Sequence, residues 1–370
     1  MKFVINKEDF INSLSILVNV SSKKNLNIPI LQNVKLEVNN GFLTMTTTDL
    51  DSTVKKSIQV NVEKNGATTV PAQTLFDIVK KMSEGSEILV EEKEDKSISV
   101  SSGRSKFKLL SLDPETFPII EDINMDEECE ISKDDLIDIL DKTKFAISND
   151  EARYYLNGIF IHSKVIDDTN YIVGVATDGH RLANVKKAKE NIKISGYIIP
   201  KKTIAEIRKI LDTCQDNVNL SFSKTKIKLS TKDCILISKL IDAEYPEYDR
   251  IIPSNNGNIA TVNKKDFVNA IDRVSTVVSD KHKGVKFIVM NNAVKLIADS
   301  TENGSADDEV SANYTGNDIE IGFNSRYLLD ILSQIESDEV YLKFNSGNNP
   351  ALIQGTEEPN NLFVLMPVRI

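Results

Sequence analysis

The chain has 370 residues, of which 40% are apolar and 27% charged, and its formal net charge is −10 at pH 7. The length favours two or three domains, and the composition is the usual mixture for a soluble globular protein. No apolar run approaches the ~20 residues that span a membrane, and the N-terminal segment has no signal-peptide core, so a cytoplasmic protein without membrane contact is expected. Three cysteines, far apart in the sequence, make a disulfide framework or a zinc site improbable, and we expect no metal and no cofactor. At face value the negative charge argues against nucleic-acid binding.

One pattern recurs three times along the chain and each time predicts the start of a helix. Each copy has a β-branched residue, a candidate N-cap, a charged first turn and apolar residues at helical spacing. The copies are INKEDFINSL from Ile5, ISKDDLIDIL from Ile131 and VNKKDFVNAI from Val262.

A second triplet has the same period and predicts a second helix in each repeat. The segments are VPAQTLFDIVKKM from Val70, IPKKTIAEIRKIL from Ile199 and FNSRYLLDILSQI from Phe323. Proline is favoured in the first helical position because its missing N–H would have no partner there, and Pro71 and Pro200 fit that role. The two triplets together indicate an internal repeat of roughly 125–130 residues.

Between these helices the sequence alternates apolar and polar residues, as in VKLEV, FLTMTT, KIKLS and VYLKF, which predicts half-exposed antiparallel strands. The predicted fold class is α+β, with three pseudo-repeated domains that each place two helices on antiparallel sheet. We expect domain boundaries that give residues 1–130, 131–258 and 259–370.

The second helix of the central repeat has two opposite faces. Ile204, Ile207, Ile210 and Leu211 form an apolar stripe, whereas Lys201, Lys202, Arg208 and Lys209 lie on the other side. A solvated surface helix is the plain interpretation, but basic positions such as Lys80 and Lys81 recur on a related helix. No aromatic residue alternates with these lysines, so the pattern favours contact with phosphates without base stacking.

Several strings together resemble the beta subunit of bacterial DNA polymerase III. They are IPILQNV, VPAQTLFDI, RYYLNG, ATDGHRLA, YPEYDRIIP and the terminal LFVLMPVRI, and the resemblance covers the whole chain. It implies three clamp domains that form half of a closed ring, in a head-to-tail homodimer whose helices line a hole for double-stranded DNA. The implied function is that of a sliding clamp, a non-catalytic processivity factor.

The resemblance also implies partners and site residues. The partners are the replicative polymerase catalytic subunit, the clamp loader, and other DNA polymerases and repair proteins that carry clamp-binding peptides. The subunit contact would join Phe107 and Leu109 to Val277 and Val278. A hydrophobic peptide-binding pocket would be lined by Leu156, Thr177, Gly179, His180, Arg181, Leu182, Pro246, Arg250, Ile251, Asn324, Tyr327, Val364, Met366, Pro367, Val368 and Arg369.

Two positions depart from the family pattern. Asp249 stands where a second basic residue is common, which puts one charge contact at the pocket rim in doubt. Asn25 aligns with a basic DNA-contacting position, and the adjacent Lys23 and Lys24 are candidates to replace it as DNA-facing residues.

Two other interpretations are open at this point. Asp178 and His180 lie close enough in sequence to suggest an acid–base site, but no nucleophile motif, P-loop or H-E-x-x-H string accompanies them. Ordinary structural hydrogen bonding is the plain alternative for His180 and Arg181. A repeat-built protein-interaction scaffold that never encircles DNA is the alternative function.

Overall fold

A computed structural model of the chain describes residues 1–21, 28–118, 124–278 and 284–369. The predicted DNA-facing residues Lys23 and Lys24 lie outside the described residues. The two predicted helices of each repeat are present. In chain order the first third contains β1 (Lys2–Asn6), α1 (Lys7–Leu17), β2 (Asn33–Asn39), β3 (Phe42–Thr48), β4 (Ser52–Gln59), β5 (Asn61–Lys64), β6 (Gly66–Pro71), α2 (Ala72–Lys81), β7 (Glu87–Glu92), β8 (Ile98–Ser102) and β9 (Ser105–Leu109).

The middle third repeats this order. It contains β10 (Glu127–Ile131), α3 (Lys133–Thr143), β11 (Gly158–Ile166), β12 (Thr169–Thr177), β13 (Arg181–Ala188), β14 (Tyr197–Pro200), α4 (Lys201–Thr213), β15 (Val218–Phe222), β16 (Lys226–Ser230) and β17 (Cys234–Lys239). The last third contains β18 (Asn258–Asn263), α5 (Lys264–Ser275), β19 (Gly284–Met290), β20 (Ala293–Ser300), β21 (Gly304–Asn313), β22 (Ile319–Asn324), α6 (Ser325–Leu332), β23 (Glu339–Phe344), β24 (Ala351–Gly355) and β25 (Asn361–Leu365).

Three helices begin directly after an asparagine whose side chain satisfies free N–H groups of the first turn. Asn6, Asn263 and Asn324 each accept a hydrogen bond from a backbone N–H of the following helix. The prolines differ from the expectation by one position. Pro71 is the cap of α2, and Pro200 ends β14 directly before α4, so neither is the first helical residue.

The strands form three antiparallel sheets whose order follows the repeat. The first sheet has the order β5-β1-β7-β8-β9, and the second β10-β15-β16-β17-β4-β3-β2-β6. The third has the order β14-β11-β12-β13-β25-β24-β23-β18-β21-β20-β19-β22. Strands of consecutive repeats therefore pair with each other, at β17–β4 in the second sheet and at β25–β13 in the third. We call these two pairings the sheet junctions.

By its contacts the chain divides into two compact units. The first combines Met1–Ile137 with Lys202–Asp242, and the second combines Asp138–Lys201 with Ala243–Ile370. The middle repeat is split between them because β15, β16 and β17 extend the sheet of the first repeat, whereas β11, β12 and β13 extend that of the third. The boundaries at 130/131 and 258/259 expected from the sequence stay a prediction.

Candidate functional site

The ATDGHRLA string forms a tight turn between β12 and β13. The Asp178 Oδ1 accepts hydrogen bonds from the backbone N–H groups of His180 (2.9 Å) and Arg181 (3.0 Å). The Thr177 hydroxyl donates to the Arg181 carbonyl at 2.7 Å and accepts from the Gly179 N–H at 3.1 Å. Gly179 has a φ of +88°, which glycine adopts without strain. Asp178 thus holds the turn, and its Oδ1 is engaged by backbone groups rather than by the His180 ring.

The Arg181 guanidinium is the centre of this part of the second unit. Its Nη1 donates to Asp330 Oδ2 at 2.5 Å, its Nη2 to the Phe145 carbonyl at 2.7 Å, and its Nε to Asp178 Oδ2 at 3.1 Å. It also lies over the Tyr327 ring, 4.4 Å from the centroid. Only 10% of the side chain is exposed. Arg181 therefore joins the turn, α6 and the segment after α3, as the structural interpretation of this residue anticipated.

The C-terminal segment runs beside that turn. Leu182 pairs with Val364 where β13 meets β25, and the Met366 N–H donates to the His180 carbonyl at 2.8 Å. The Val368 N–H donates to the Gly322 carbonyl at 2.8 Å, so the tail continues along β22. These backbone bonds bring Val364, Met366 and Val368 into the region predicted for them.

The apolar members of the predicted pocket fall into two groups. Leu182 and Val364 are each 1% exposed, and Leu156 and Thr177 are also buried. These side chains therefore pack inside the protein and are not accessible to a partner. Ile251 is 37% exposed, whereas Pro246, Met366 and Tyr327 are half-buried. The surface available to an apolar partner therefore includes the second group, together with the half-buried Pro367 and Val368.

The doubtful position Asp249 has a partner within the chain. Both of its carboxylate oxygens accept hydrogen bonds from Lys164 Nζ, each at 2.7 Å. The neighbouring Arg250 is exposed and pairs with Glu247. Asp249 thus fastens the rim loop to β11, and Arg250 remains the basic side chain of that loop.

Seven of the predicted pocket residues line two separate open grooves. A cleft of about 620 Å³ is lined by His180, Arg181, Asn324 and Tyr327 together with Arg153, Lys201 and Arg326. Pro367, Val368 and Arg369 line a second groove, with Lys286 and Glu320. Sequence reasoning missed Arg153 and Arg326 in the cleft. It assigned Lys201 to the DNA-facing set, whereas the Lys201 ammonium donates to Asn149 Oδ1 at 2.7 Å in this cleft.

Two of the remaining basic residues of α4 form ion pairs within the chain. The apolar stripe predicted for the helix is buried. On the opposite side, however, Lys202 contacts Asp49 and lies 3.7 Å from Glu206, and Arg208 pairs with Asp212. Two of the basic residues opposite the apolar stripe are therefore paired with carboxylates of the chain.

Other predicted basic positions are open to solvent. Lys209 on α4 is exposed, as are Lys80 and Lys81 in the last turn of α2. Cations at the C-terminal end of a helix are also favoured by the helix dipole.

The predicted subunit-contact residues lie on an edge strand and after a helix. β9 is the last strand of the first sheet, and its Phe107 is 39% exposed whereas Leu109 is 8% exposed. Val277 and Val278 follow α5 and are half-buried.

Comparison with known proteins covers the whole chain. Residues 1–121, 130–247 and 249–369 match the N-terminal, central and C-terminal domain models of the DNA polymerase III beta subunit. The beta sliding clamp of Caulobacter vibrioides is 34% identical over 373 residues, and that of Haemophilus influenzae is 31% identical over 372, with 100% of each chain covered. A crystal structure of the DnaN sliding clamp from Bartonella birtlesii bound to griselimycin has a TM-score of 0.94 at 40% identity, again over 100% of both chains.

Three repeated α+β domains on continuous antiparallel sheets define a sliding clamp, a class of non-catalytic processivity subunits. The chain belongs to the DNA polymerase III beta subunit family. Its function is that of the DNA polymerase III processivity clamp in DNA replication, and its partners are DNA and polymerase-type proteins. Among the helices of the described residues, none has the length and apolar character of a membrane span.

Proposed function

We propose that this clamp is a homodimer whose two copies close head to tail into a ring around duplex DNA. The observation that supports this most strongly is the pattern of sheet junctions. Each repeat ends in three consecutive antiparallel strands. The last strand of the second repeat, β17, pairs with β4 of the first repeat. In the same way the last strand of the third repeat, β25, pairs with β13 of the second repeat.

The first repeat's last strand, β9, and the third repeat's fourth strand, β21, have no such junction partner among the described residues. Among the described residues, β9 pairs only with β8, and the Gly304–Glu309 part of β21 pairs only with β20. β9 is the equivalent of β17 and β25, and β21 is the equivalent of β4 and β13. Unpaired edges invite pairing with another chain, and a β9–β21 contact between two copies repeats the internal junctions and closes the assembly.

The charges of the two free edges are complementary. β9 and the turn before it carry Arg104, Lys106 and Lys108, whereas β21 carries Asp307, Asp308 and Glu309. Opposite charges on facing strands favour the β9–β21 pairing, and like charges disfavour β9–β9 and β21–β21 pairings. The charges thus select a head-to-tail contact, with Phe107, Leu109, Val277 and Val278 as its apolar residues.

The dimer is tested by light scattering at micromolar concentration, where a mass of ~83 kDa is expected for two chains of 41.3 kDa. Lys106→Glu with Lys108→Glu should shift the protein towards monomer, and adding Asp307→Lys with Glu309→Lys should restore the dimer. Val278→Asp should also lower the dimer fraction, because it would bury an unpaired carboxylate. A wild-type protein that is monomeric throughout, or a charge reversal that the compensating pair fails to rescue, would contradict the arrangement.

The client pocket belongs to the same proposal. Clients would be the replicative polymerase catalytic subunit, the clamp loader, and other polymerases and repair proteins, all through a short peptide with apolar anchors. Ile251, Pro246 and Met366 each expose apolar surface, and the Met366 backbone is bonded to His180 at the polar cleft. Methionine also adapts its shape to different ligands. Deleting residues 366–370 should weaken a glutamine-led peptide with Leu and Phe anchors at least ~10-fold while the dimer persists. If the truncated protein binds the peptide with unchanged affinity, residues 366–370 are not part of the peptide-binding site.

Retention on DNA is the third part of the proposal, with Lys80, Lys81, Lys202, Arg208 and Lys209 on the DNA side and Lys201 in doubt. Phosphate contacts of this kind are independent of base sequence and sensitive to salt. At an ionic strength like that of the cytoplasm, a clamp loaded on nicked circular DNA should stay bound. It should be lost when the DNA is made linear. Equal retention on both forms would mean that binding does not depend on encirclement.

A further inference from the structure

The loop that carries Pro246 and Ile251 is fastened to one face of β11. Residues two apart on a strand point to the same side, and Phe160, His162 and Lys164 share such a face. The Phe160 ring stacks on Tyr245, with centroids 4.7 Å apart and planes 4° from parallel. At the other end Lys164 holds Asp249.

His162 is the middle contact of this row. Its Nε2 lies 2.8 Å from the Tyr248 hydroxyl and its Nδ1 lies 3.0 Å from the Ser163 carbonyl. A carbonyl can only accept, so Nδ1 carries the ring proton and Nε2 of the neutral ring accepts from Tyr248. The ring is 9% exposed, and burial lowers the pKa of His162 below its usual value.

Protonation of His162 would disturb this contact directly. Nε2 would become a donor, so the Tyr248 hydroxyl would have to reverse its role, accept this hydrogen bond and turn its own proton away from the ring. The positive charge would also lie in a buried contact. Lys164 adds a positive charge on the same strand. Of the two acidic residues in the loop, Asp249 is already paired with that lysine and Glu247 is paired with Arg250. The opposite strand places Val173 beside His162, and Gly196 packs on its Cβ, so neither neighbour can take up the charge.

We propose that His162 is a positioning residue of the client-peptide site, and that its protonation loosens the 245–251 loop and weakens peptide binding in mildly acidic solution. The inference rests on the proposed pocket, because the loop matters only if Pro246 and Ile251 contact the peptide. Neutral His162 fixes Tyr248, Tyr248 fixes the loop, and the loop presents the apolar rim.

The test is the affinity of a fluorescein-labelled, glutamine-led peptide with Leu and Phe anchors, measured by anisotropy between about pH 8 and about pH 5.5. The cost of placing a positive charge in this buried contact predicts a roughly fivefold weakening for the wild type at the acid end. His162→Gln keeps a neutral acceptor that does not titrate, so its affinity should match the wild type at the alkaline end and stay nearly constant with pH. Tyr248→Phe should bind somewhat more weakly throughout, also with a reduced pH dependence.

The matched control is His180→Gln, which makes the same substitution at an exposed histidine of the cleft that does not contact Tyr248. That variant should keep the acid weakening that comes from His162. An acid weakening of full size in His162→Gln or in Tyr248→Phe would overturn the role of His162. Absence of peptide binding by the wild type at every pH would instead overturn the pocket itself.

Discussion

The two sheet junctions of the molecule use the same turn with different residues. Before β4, Asp49 Oδ1 accepts from the N–H groups of Asp51 and Ser52, and the Thr48 hydroxyl donates to the Ser52 carbonyl. The turn before β13 has the same hydrogen bonds from Asp178 and Thr177. A Thr-Asp pair thus determines the backbone of both turns, and the three residues that follow are free to differ.

Those three residues are Leu-Asp-Ser in the first unit and Gly-His-Arg in the second. Ser52 donates to Glu206 Oε1 at 3.1 Å, and Glu206 is 5% exposed. At the equivalent place in the second unit Arg181 meets Asp330, which lies partly in solvent. One junction therefore encloses a carboxyl group, whereas the other holds an arginine beside an open cleft. The proposed client site lies at the second of these junctions.

The largest expected difference between the two junctions is in the free energy of unfolding lost when Arg181 or Ser52 is replaced by alanine. Arg181→Ala leaves the carboxylates of Asp178 and Asp330 and the Phe145 carbonyl without their shared donor, and should lower the free energy of unfolding by about 3 kcal/mol. Ser52→Ala removes one hydroxyl and should cost about 1 kcal/mol. Urea denaturation of both variants measures the contrast, and equal losses would mean that the arginine is not the centre of its junction.

Sequence reasoning anticipated the parts that depend on local chemistry. The presence of two helices in each repeat, the caps Asn6 and Asn263 and the alternating strands follow from short patterns that occur in each repeat. The contact of Lys202 with Asp49 was missed because the two residues are remote in sequence and a helical projection shows only the helix itself. The hold of Lys164 on Asp249 was missed for the same reason, since that contact depends on how β11 meets a loop far along the chain. Glu206 and Asp212, by contrast, lie four residues after Lys202 and Arg208, and their spacing could have indicated these pairs.

A smaller contrast separates two lysines of α4. Lys202→Glu would place a third carboxyl group beside Asp49 and Glu206, so the free energy of unfolding should fall by about 1–2 kcal/mol. Lys209→Glu changes an exposed residue and should alter stability by less than ~0.5 kcal/mol.

Retention on nicked circular DNA provides the second measurement for this pair. Lys209→Glu should shorten retention at low salt, and the effect should shrink as salt rises, because screening weakens phosphate contacts. Normal retention of a stable Lys209→Glu clamp would show that this face of α4 does not meet DNA.

The smallest expected effect concerns the carboxyl group enclosed at the first junction. Burial raises the pKa of Glu206, against the opposing influence of Lys202 and the Ser52 hydrogen bond, and its Oε2 has no hydrogen-bond partner among the described residues. A carboxyl whose pKa is raised by folding contributes stability that is complete below its unfolded pKa and is lost as pH rises through the folded pKa. Glu206→Gln keeps an acceptor for Ser52 but cannot ionise, so it should remove that loss. The variant should therefore gain stability relative to the wild type as pH rises from about 4.5 to 8, by less than about 1 kcal/mol in total. Asp330→Asn is the matched change at the second junction, where the carboxylate is paired with Arg181, and it should lower stability at neutral pH. Urea midpoints for both variants across this pH range test the argument, and a Glu206→Gln curve parallel to the wild type would show that Glu206 ionises as easily in the folded clamp as in the unfolded chain.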